Sequence, residues 1–192
     1  REAPQFTLFK HQRTLADTRD FVAEAGVQQV GIEAKHVTLA QMAEWEDVEE
    51  VTWRPLQETV EPMRQVKTAV EIEKIKKACA ITDKVMAQVP HLAKPGLTET
   101  ELAWELEKAL RQAGAEAMAF DILVASGANS ALPHHHPGGR RLQSGDALIV
   151  DMGAQVDGYK SDLTRSFFLG AKAPVHYFEL YQLVLRAQTA VF

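Results

Sequence analysis

A single cysteine, Cys79, stands among 192 residues, so no disulfide can form within the chain and its fold rests on packing and hydrogen bonds. No hydrophobic run approaches the roughly 20 apolar residues that cross a bilayer, and no secretory leader is recognisable. Charge of one sign is missing too. The net charge of −5 is spread over mixed acidic and basic residues, without the basic stripe that a nucleic-acid surface requires. These absences argue against a disulfide scaffold, a helical membrane protein and a nucleic-acid partner, and make a reducing cytoplasm the simplest home. What is present is enough apolar sequence, 46% of residues, for the core of one or two domains.

The first third reads as part of a small α/β unit. Thr14 to Ala25 has helical spacing with Leu15, Phe21, Val22 and Ala25 inward, and Gly26 stops it. Val27 to Glu33 is a short strand, Thr38 caps a second helix running to Trp45, and Glu50 to Arg54 is another strand. Beyond a connection from Leu56 to Lys67, a helix from Ala69 to Val89 carries an apolar stripe. It comprises Ile72, Ile75, Ala78, Cys79, Thr82, Val85, Met86 and Val89, which makes Cys79 a small core residue rather than a reactive thiol. Pro90 and the turn Lys94-Pro95-Gly96 end it. Thr98-Glu-Thr-Glu101 is a capping box opening a helix to Ala113, with Gly114 at its C-terminal end and Leu102, Leu106 and Leu110 on its buried face. Both helices are expected to be scaffold for a sheet. Phe120 to Ser126 reads as a buried strand leading into the loop from Gly127 to Gly139, and Ala173 to Phe192 as an amphipathic helix.

Asp151 and Asp162 lie eleven residues apart on either side of Asp157-Gly158, a strong hairpin signal. Side chains alternate along a strand, so Ile149, Asp151 and Gly153 share one face and Val150, Met152 and Ala154 the other. A two-residue loop places Gly153 opposite Asp162 and Asp151 opposite Thr164; a four-residue loop places Asp151 directly opposite Asp162. In both registers the carboxylates point the same way within cross-strand reach. Spacing alone would also suit two surface carboxylates beside a turn. Asp151, however, ends the apolar run Ala147 to Val150, which marks a buried strand, and Asp is disfavoured inside strands. Two anions held together there repel and lose hydration; a divalent cation is the usual remedy.

With their surroundings these residues resemble a known family. Asp151-Met-Gly153-Ala154, Gly158-Tyr159-Lys-Ser161-Asp162-Leu-Thr164-Arg165 and Ser126-Gly-Ala-Asn129-Ser-Ala-Leu-Pro133-His134 are similar to motifs of the pita-bread metallopeptidases. That family includes methionine aminopeptidase, aminopeptidase P and prolidase, with creatinase as a metal-free cousin. Met63-Arg-Gln-Val-Lys67-Thr, on its own a solvated linker, also resembles the family's Arg-x-x-Lys-Ser/Thr lead into the first catalytic helix. The likeness extends from Leu15 to the C-terminus. It is greatest to the Xaa-Pro branch, since methionine aminopeptidases usually lack an N-terminal domain of this kind.

The resemblance implies an α/β (α+β) fold: residues 1–60 as a partial creatinase/prolidase-like N-terminal domain, 61–68 as a linker, and 69–192 as the first half of a pita-bread catalytic domain. It implies that Asp151 chelates one metal ion, that Asp162 bridges two, and that His134, whose register Pro133 fixes, hydrogen-bonds the substrate. Family members often carry a small residue where His135 stands, and His136 shares the side of His134 if the loop is extended. Without the likeness, the three histidines would read as a mobile surface loop or a bare metal-binding cluster. Oxygen ligands suit two divalent ions, Mn²⁺ first, with Zn²⁺ or Co²⁺ as alternatives. The implied reaction is hydrolysis of Xaa-Pro dipeptides, or release of the first residue of longer Xaa-Pro peptides by an aminopeptidase P. A small peptide with proline second is the implied partner, and homodimers are common among such enzymes. A binding module or creatinase-type hydrolase without metal is the other class, and the presence of both aspartates argues against it. The family's remaining metal ligands, a His and two Glu, lie beyond this chain's end. His176 and Glu179, the candidates left there, read better as a helix-surface pair. The chain is therefore expected to be a fragment truncated at both ends, with little activity alone.

Overall fold

The computed structural model describes residues 15–49, 51–58 and 60–191; Thr14 and Glu50, expected to start a helix and a strand, lie outside them, as does the side chain of Leu15. The chain divides into two compact units after Val66. In the first, α1 (Leu15–Ala25) precedes β1 (Gln29–Glu33), α2 (Leu39–Glu46), β2 (Thr52–Leu56) and the short α3 (Glu61–Gln65). Thus the expected linker starts as a turn of helix, with Pro62 in its first turn, where a missing N–H costs nothing. β1 and β2 pair in parallel. Their small core holds Val22, Val48 and Val51, with Val30 and Trp53 against it. Trp45 and Trp53 stack at 5.2 Å, and the Trp53 indole N–H donates to the Trp45 carbonyl at 2.8 Å. Of the residues expected to face inward from α1, Val22 is buried while Phe21 and Ala25 are exposed.

The second unit runs α4 (Ala69–Met86), α5 (Val89–Leu92), α6 (Glu99–Gln112), β3 (Ala117–Met118), β4 (Leu123–Ser126), β5 (Ala147–Met152), β6 (Ala154–Val156), β7 (Tyr159–Lys160), β8 (Leu163–Phe168) and α7 (Val175–Thr189). Thr68 and Thr98 start α4 and α6 with reciprocal capping boxes to Glu71 and Glu101. α4 stops at Met86, three residues short of the expected end. Pro90 cannot donate to the Met86 carbonyl and its ring would crowd it, so Pro90 sits instead in the first turn of α5. The buried face of α4 is Ala78, Thr82, Val85 and Met86. Ile72 and Cys79, both placed inward by the sequence, are exposed. Over the body of the helix the stripe follows the series 71, 75, 78, 82 and 85, from which Ile72 and Cys79, one step on, are turned by about 100°; at the helix end Met86 is buried as well.

Two antiparallel sheets, in the orders β4-β5-β8 and β3-β6-β7, share a single ribbon. Met152 pairs with Leu163 in one, and Gln155 with Lys160 in the other, so one register runs through both and leaves Gly153 opposite Asp162. The ribbon closes at Asp157-Gly158 with φ of 49° and 80°, the two positive values of a type I′ turn. It changes sheets at Gly153, where a Cβ would collide with the carbonyl oxygen of Ser161 and lie 2.8 Å from the Ala119 Cβ. Leu148, Val150 and Met152 project from β5 into the main core with Leu102, Leu106 and Leu110 of α6 and Val85 of α4.

A buried hydroxyl pair ties α4 to the ribbon at that break. Thr82 Oγ1 lies 2.7 Å from Ser161 Oγ, and the Ala154 N–H reaches Ser161 Oγ at 3.0 Å and Thr82 Oγ1 at 3.2 Å. Thr82 occupies an apolar-stripe position in the sequence, and its hydroxyl anchors the position next to Asp162. Thr82→Val keeps the shape and removes the hydroxyl, so it should cost about 1–3 kcal/mol in urea unfolding. Gly153→Ala should cost more than that, because backbone is what its methyl meets. A Thr82→Val protein as stable as the wild type would show that the clamp contributes nothing.

Candidate metal centre

The alternation of β5 decides where Asp151 points. Leu148, Val150 and Met152 are fully buried on the core face, so Asp151, with Ile149, emerges half-buried on the other. Asp151 pairs with Thr164, the register of the two-residue loop. Asp162, opposite Gly153, is thus its diagonal neighbour across the ribbon. Their side chains meet. Burial, then the charge of Asp151 and a hydrogen bond with it, push the Asp162 carboxyl above its ordinary value, although Asp162 as a residue is exposed. Asp151 Oδ1 is buried with no hydrogen-bond partner. A carboxylate oxygen left without donors beside a second carboxylate is what a hard divalent cation satisfies. The donor set fits such an ion but is incomplete: among the described residues no group of three or more His, Cys, Asp or Glu gathers to hold one.

The histidines are sorted by their loop. His134 and His136 are exposed. His135 between them turns inward, its side chain 15% exposed, with Nε2 2.8 Å from Glu99 Oε2. The structure therefore brings Asp151 and Asp162 together, whereas His134 stands on the loop surface. His176 and Glu179 are both exposed on α7.

Glu99 is the residue that sequence reasoning passed over. It occupies the first turn of α6 with no exposed surface, and its carboxylate accepts five donors. These are the Ser126 N–H at 2.8 Å and hydroxyl at 2.7 Å, the Asn129 amide at 3.0 Å, the His135 ring at 2.8 Å and the Gly138 N–H at 3.2 Å. Burial pushes this carboxyl up, but the bonds from His135, Ser126 and Asn129 outweigh it and hold the pKa at about 2. Arg140 closes the loop, gripping Asp146 through both nitrogens at 2.7 and 2.9 Å and the Ser126 hydroxyl at 2.6 Å. The one signal in the sequence was an acid directly after a capping threonine, which suits any helix N-terminus.

A carboxyl whose pKa is lowered on folding stabilises the fold above its ordinary value and loses that contribution as acid protonates it. For Glu99 the loss falls between 4.5 and about 2. Glu99→Gln should flatten the fall in stability across that window, as measured by urea unfolding at successive pH values. An unchanged acid limb would mean that other carboxyls carry it.

Comparison with known proteins agrees with this geometry. The pattern of metallopeptidase family M24 matches residues 73–192. A Xaa-Pro dipeptidase of Pyrococcus furiosus is 39% identical over 137 residues, which span 71% of this chain and 39% of that protein. Among solved structures, a Xaa-Pro dipeptidase from Bacillus anthracis superimposes with a TM-score of 0.92 at 32% identity, over 97% of this chain and 53% of its own. An X-Pro aminopeptidase from Thermotoga maritima does so with 0.85 at 30%, over 96% and 53%. The chain spans about half the length of the relatives and structures it matches. Its fold is that of the pita-bread prolidases, and the chain belongs to metallopeptidase family M24.

Proposed function

We propose that the full-length protein is a metal-dependent exopeptidase that hydrolyses the Xaa-Pro bond of dipeptides. The observation that carries this reading is the convergence of Asp151 and Asp162 with one buried oxygen left undonated. Relatives and structural neighbours named as Xaa-Pro dipeptidases supply the substrate class. In this reading Asp151 and Asp162 would hold a pair of divalent ions, Mn²⁺ by preference, with Asp162 shared between them and further ligands from outside the described residues. When bound, such a pair supplies a water acidic enough to attack at neutral pH and polarises the scissile carbonyl. The Thr82–Ser161 clamp keeps Asp162 from following its repulsion away from Asp151. His134, exposed on its loop, is free to donate a hydrogen bond to the substrate carbonyl oxygen as charge develops there. The domain assignment that accompanies this reading takes residues 1–60 as part of a creatinase-like N-terminal domain and residues 69–192 as the first half of the catalytic domain. A cytoplasmic homodimer is the proposed setting.

The full-length protein loaded with Mn²⁺ should cleave an Xaa-Pro dipeptide faster than an Xaa-Pro-Yaa tripeptide, and a chelator should stop both. Preference for the tripeptide would make it an aminopeptidase P; indifference to chelation would remove the metal from the reaction. Asp162→Asn should abolish turnover. Asp151→Asn offers a second readout in chelator-treated protein. There it replaces a repelling oxygen by a donor and should raise stability by about 1–2 kcal/mol, while losing the stabilisation that added Mn²⁺ gives the wild type. If Mn²⁺ shifts the melting temperature of this variant and the wild type equally, Asp151 is no ligand.

A further inference from the structure

We infer that Glu99 is a positioning residue that selects which of the three consecutive histidines faces the reaction, by holding His135 inside the loop so that His134 is left outside. The inference rests on the proposed role of His134 and extends it to residues that touch neither metal nor substrate.

The loop from Gly127 to Gly139 has one turn of 3₁₀-helix, Gly127–Ala131, and otherwise no regular structure to hold it. Glu99 supplies what is missing. Its five donors are spread over the loop's start at Ser126, its middle at Asn129 and His135, and its far end at Gly138. The backbone next to the carboxylate joins in, since the Glu99 N–H donates to the Arg140 carbonyl at 3.0 Å and the Thr100 N–H to the Gly138 carbonyl at 3.2 Å. Thus thirteen residues are wound about one side chain.

Three identical neighbours create a problem of register. Shifting the segment by one residue in either direction would present another imidazole to Glu99, and its outward neighbours would change with it. Consecutive side chains diverge, so whichever ring is captured sends the adjacent ones out. The observed pattern is exposed, inward, exposed for His134, His135 and His136. Two features fix that choice. Gly138 places its N–H on the same Glu99 oxygen that receives His135, and Asn129 spans both oxygens. Each bond constrains the distance along the chain to the next, and only His135 lies where both are kept. The network is also anchored to the sheet: Ser126, whose N–H and hydroxyl both reach Glu99, pairs with Leu148 in β5, three residues before Asp151. The same element therefore fixes the level of the aspartate and the level of the loop.

The test uses the full-length Mn²⁺-loaded protein, with Glu99→Gln and, because a buried substitution can prevent folding, His135→Ala as an independent variant. Amide hydrogen exchange across 127–139 should speed up by about tenfold or more in either, with strands 147–152 and 163–168 unchanged. For the Xaa-Pro dipeptide, kcat should fall by about 10- to 100-fold with KM within about twofold, the mark of a misplaced group rather than a lost binding contact. His134→Ala added to either variant should then cost far less than in the wild type, since the ring is already displaced. Unchanged loop exchange in both variants would overturn the register lock. So would a His134→Ala effect that multiplies in full with either one. A wild type that leaves Xaa-Pro dipeptides intact would refute the proposed activity instead, and the exchange measurement would still decide whether Glu99 sets the loop.

Discussion

Everything at the site follows from one close approach, the Ser161 carbonyl oxygen lying where a side chain of residue 153 would be. Because Gly153 has none, the ribbon of β5–β6 and β7–β8 keeps a single register while passing from one sheet to the other. Asp162 leaves the bend directly after Ser161 and arrives beside Asp151 as a consequence of backbone geometry, with no attraction needed between them. The magnitudes allow it. Burying Leu148, Val150 and Met152 on the opposite face of β5 contributes on the order of 1.5–3 kcal/mol each. Two like charges in contact near a protein surface oppose this by at most about 4 kcal/mol before water and salt screen them. The core face wins, and the acid pair is carried along with it.

Glu99 and Asp151 show two opposite outcomes for a buried carboxylate oxygen in the same unit. Around Glu99 five donors more than offset desolvation, and the group is held ionised down to about pH 2. At Asp151 one oxygen has no donor at all, and the neighbouring Asp162 carboxyl is pushed toward its neutral form. The fold thus has both the means and the precedent for satisfying a buried acid, and it withholds them at Asp151. That contrast separates a carboxylate whose oxygens are fully satisfied within the fold from one with an oxygen left over, which is the opening the proposed cation would fill.

What the sequence made legible was local. The Asp157-Gly158 turn, the alternation of Ala147 to Met152 and the capping box at Thr98 each depend on residues within a few positions of one another, and each is present as read. With the turn length known, the partner of Asp151 followed by arithmetic. Features set by distant segments were not legible. Glu99 meets Ser126 and Gly138, 27 and 39 residues away, so nothing near it in the chain announces that it is buried. Thr82 looked apolar by position, and its hydroxyl found Ser161 across 79 residues. Cys79 was misplaced for a subtler reason. Hydrophobic spacing on a helix defines a stripe to within about one residue, and the tie was broken by where β6 and β7 pass over α4. The three histidines are the same case in miniature, since residue type cannot distinguish them and only the donors around Glu99 do.

Acid acts on the two halves of the site in opposite directions. Protonating Asp162, whose carboxyl titrates above its ordinary range, removes repulsion from the pair, so falling pH relieves strain there first. Protonating Glu99 dissolves the loop network, but only as pH approaches about 2. Between those events lies a range in which the aspartate pair has relaxed while the histidine loop is still held. The loop is thus held by hydrogen bonds that need no cation, whereas the aspartate pair has no donor for its buried oxygen. A fold built this way keeps the shape of the loop from Gly127 to Gly139 whatever the charge state of the aspartate pair, because the two are satisfied by separate sets of groups.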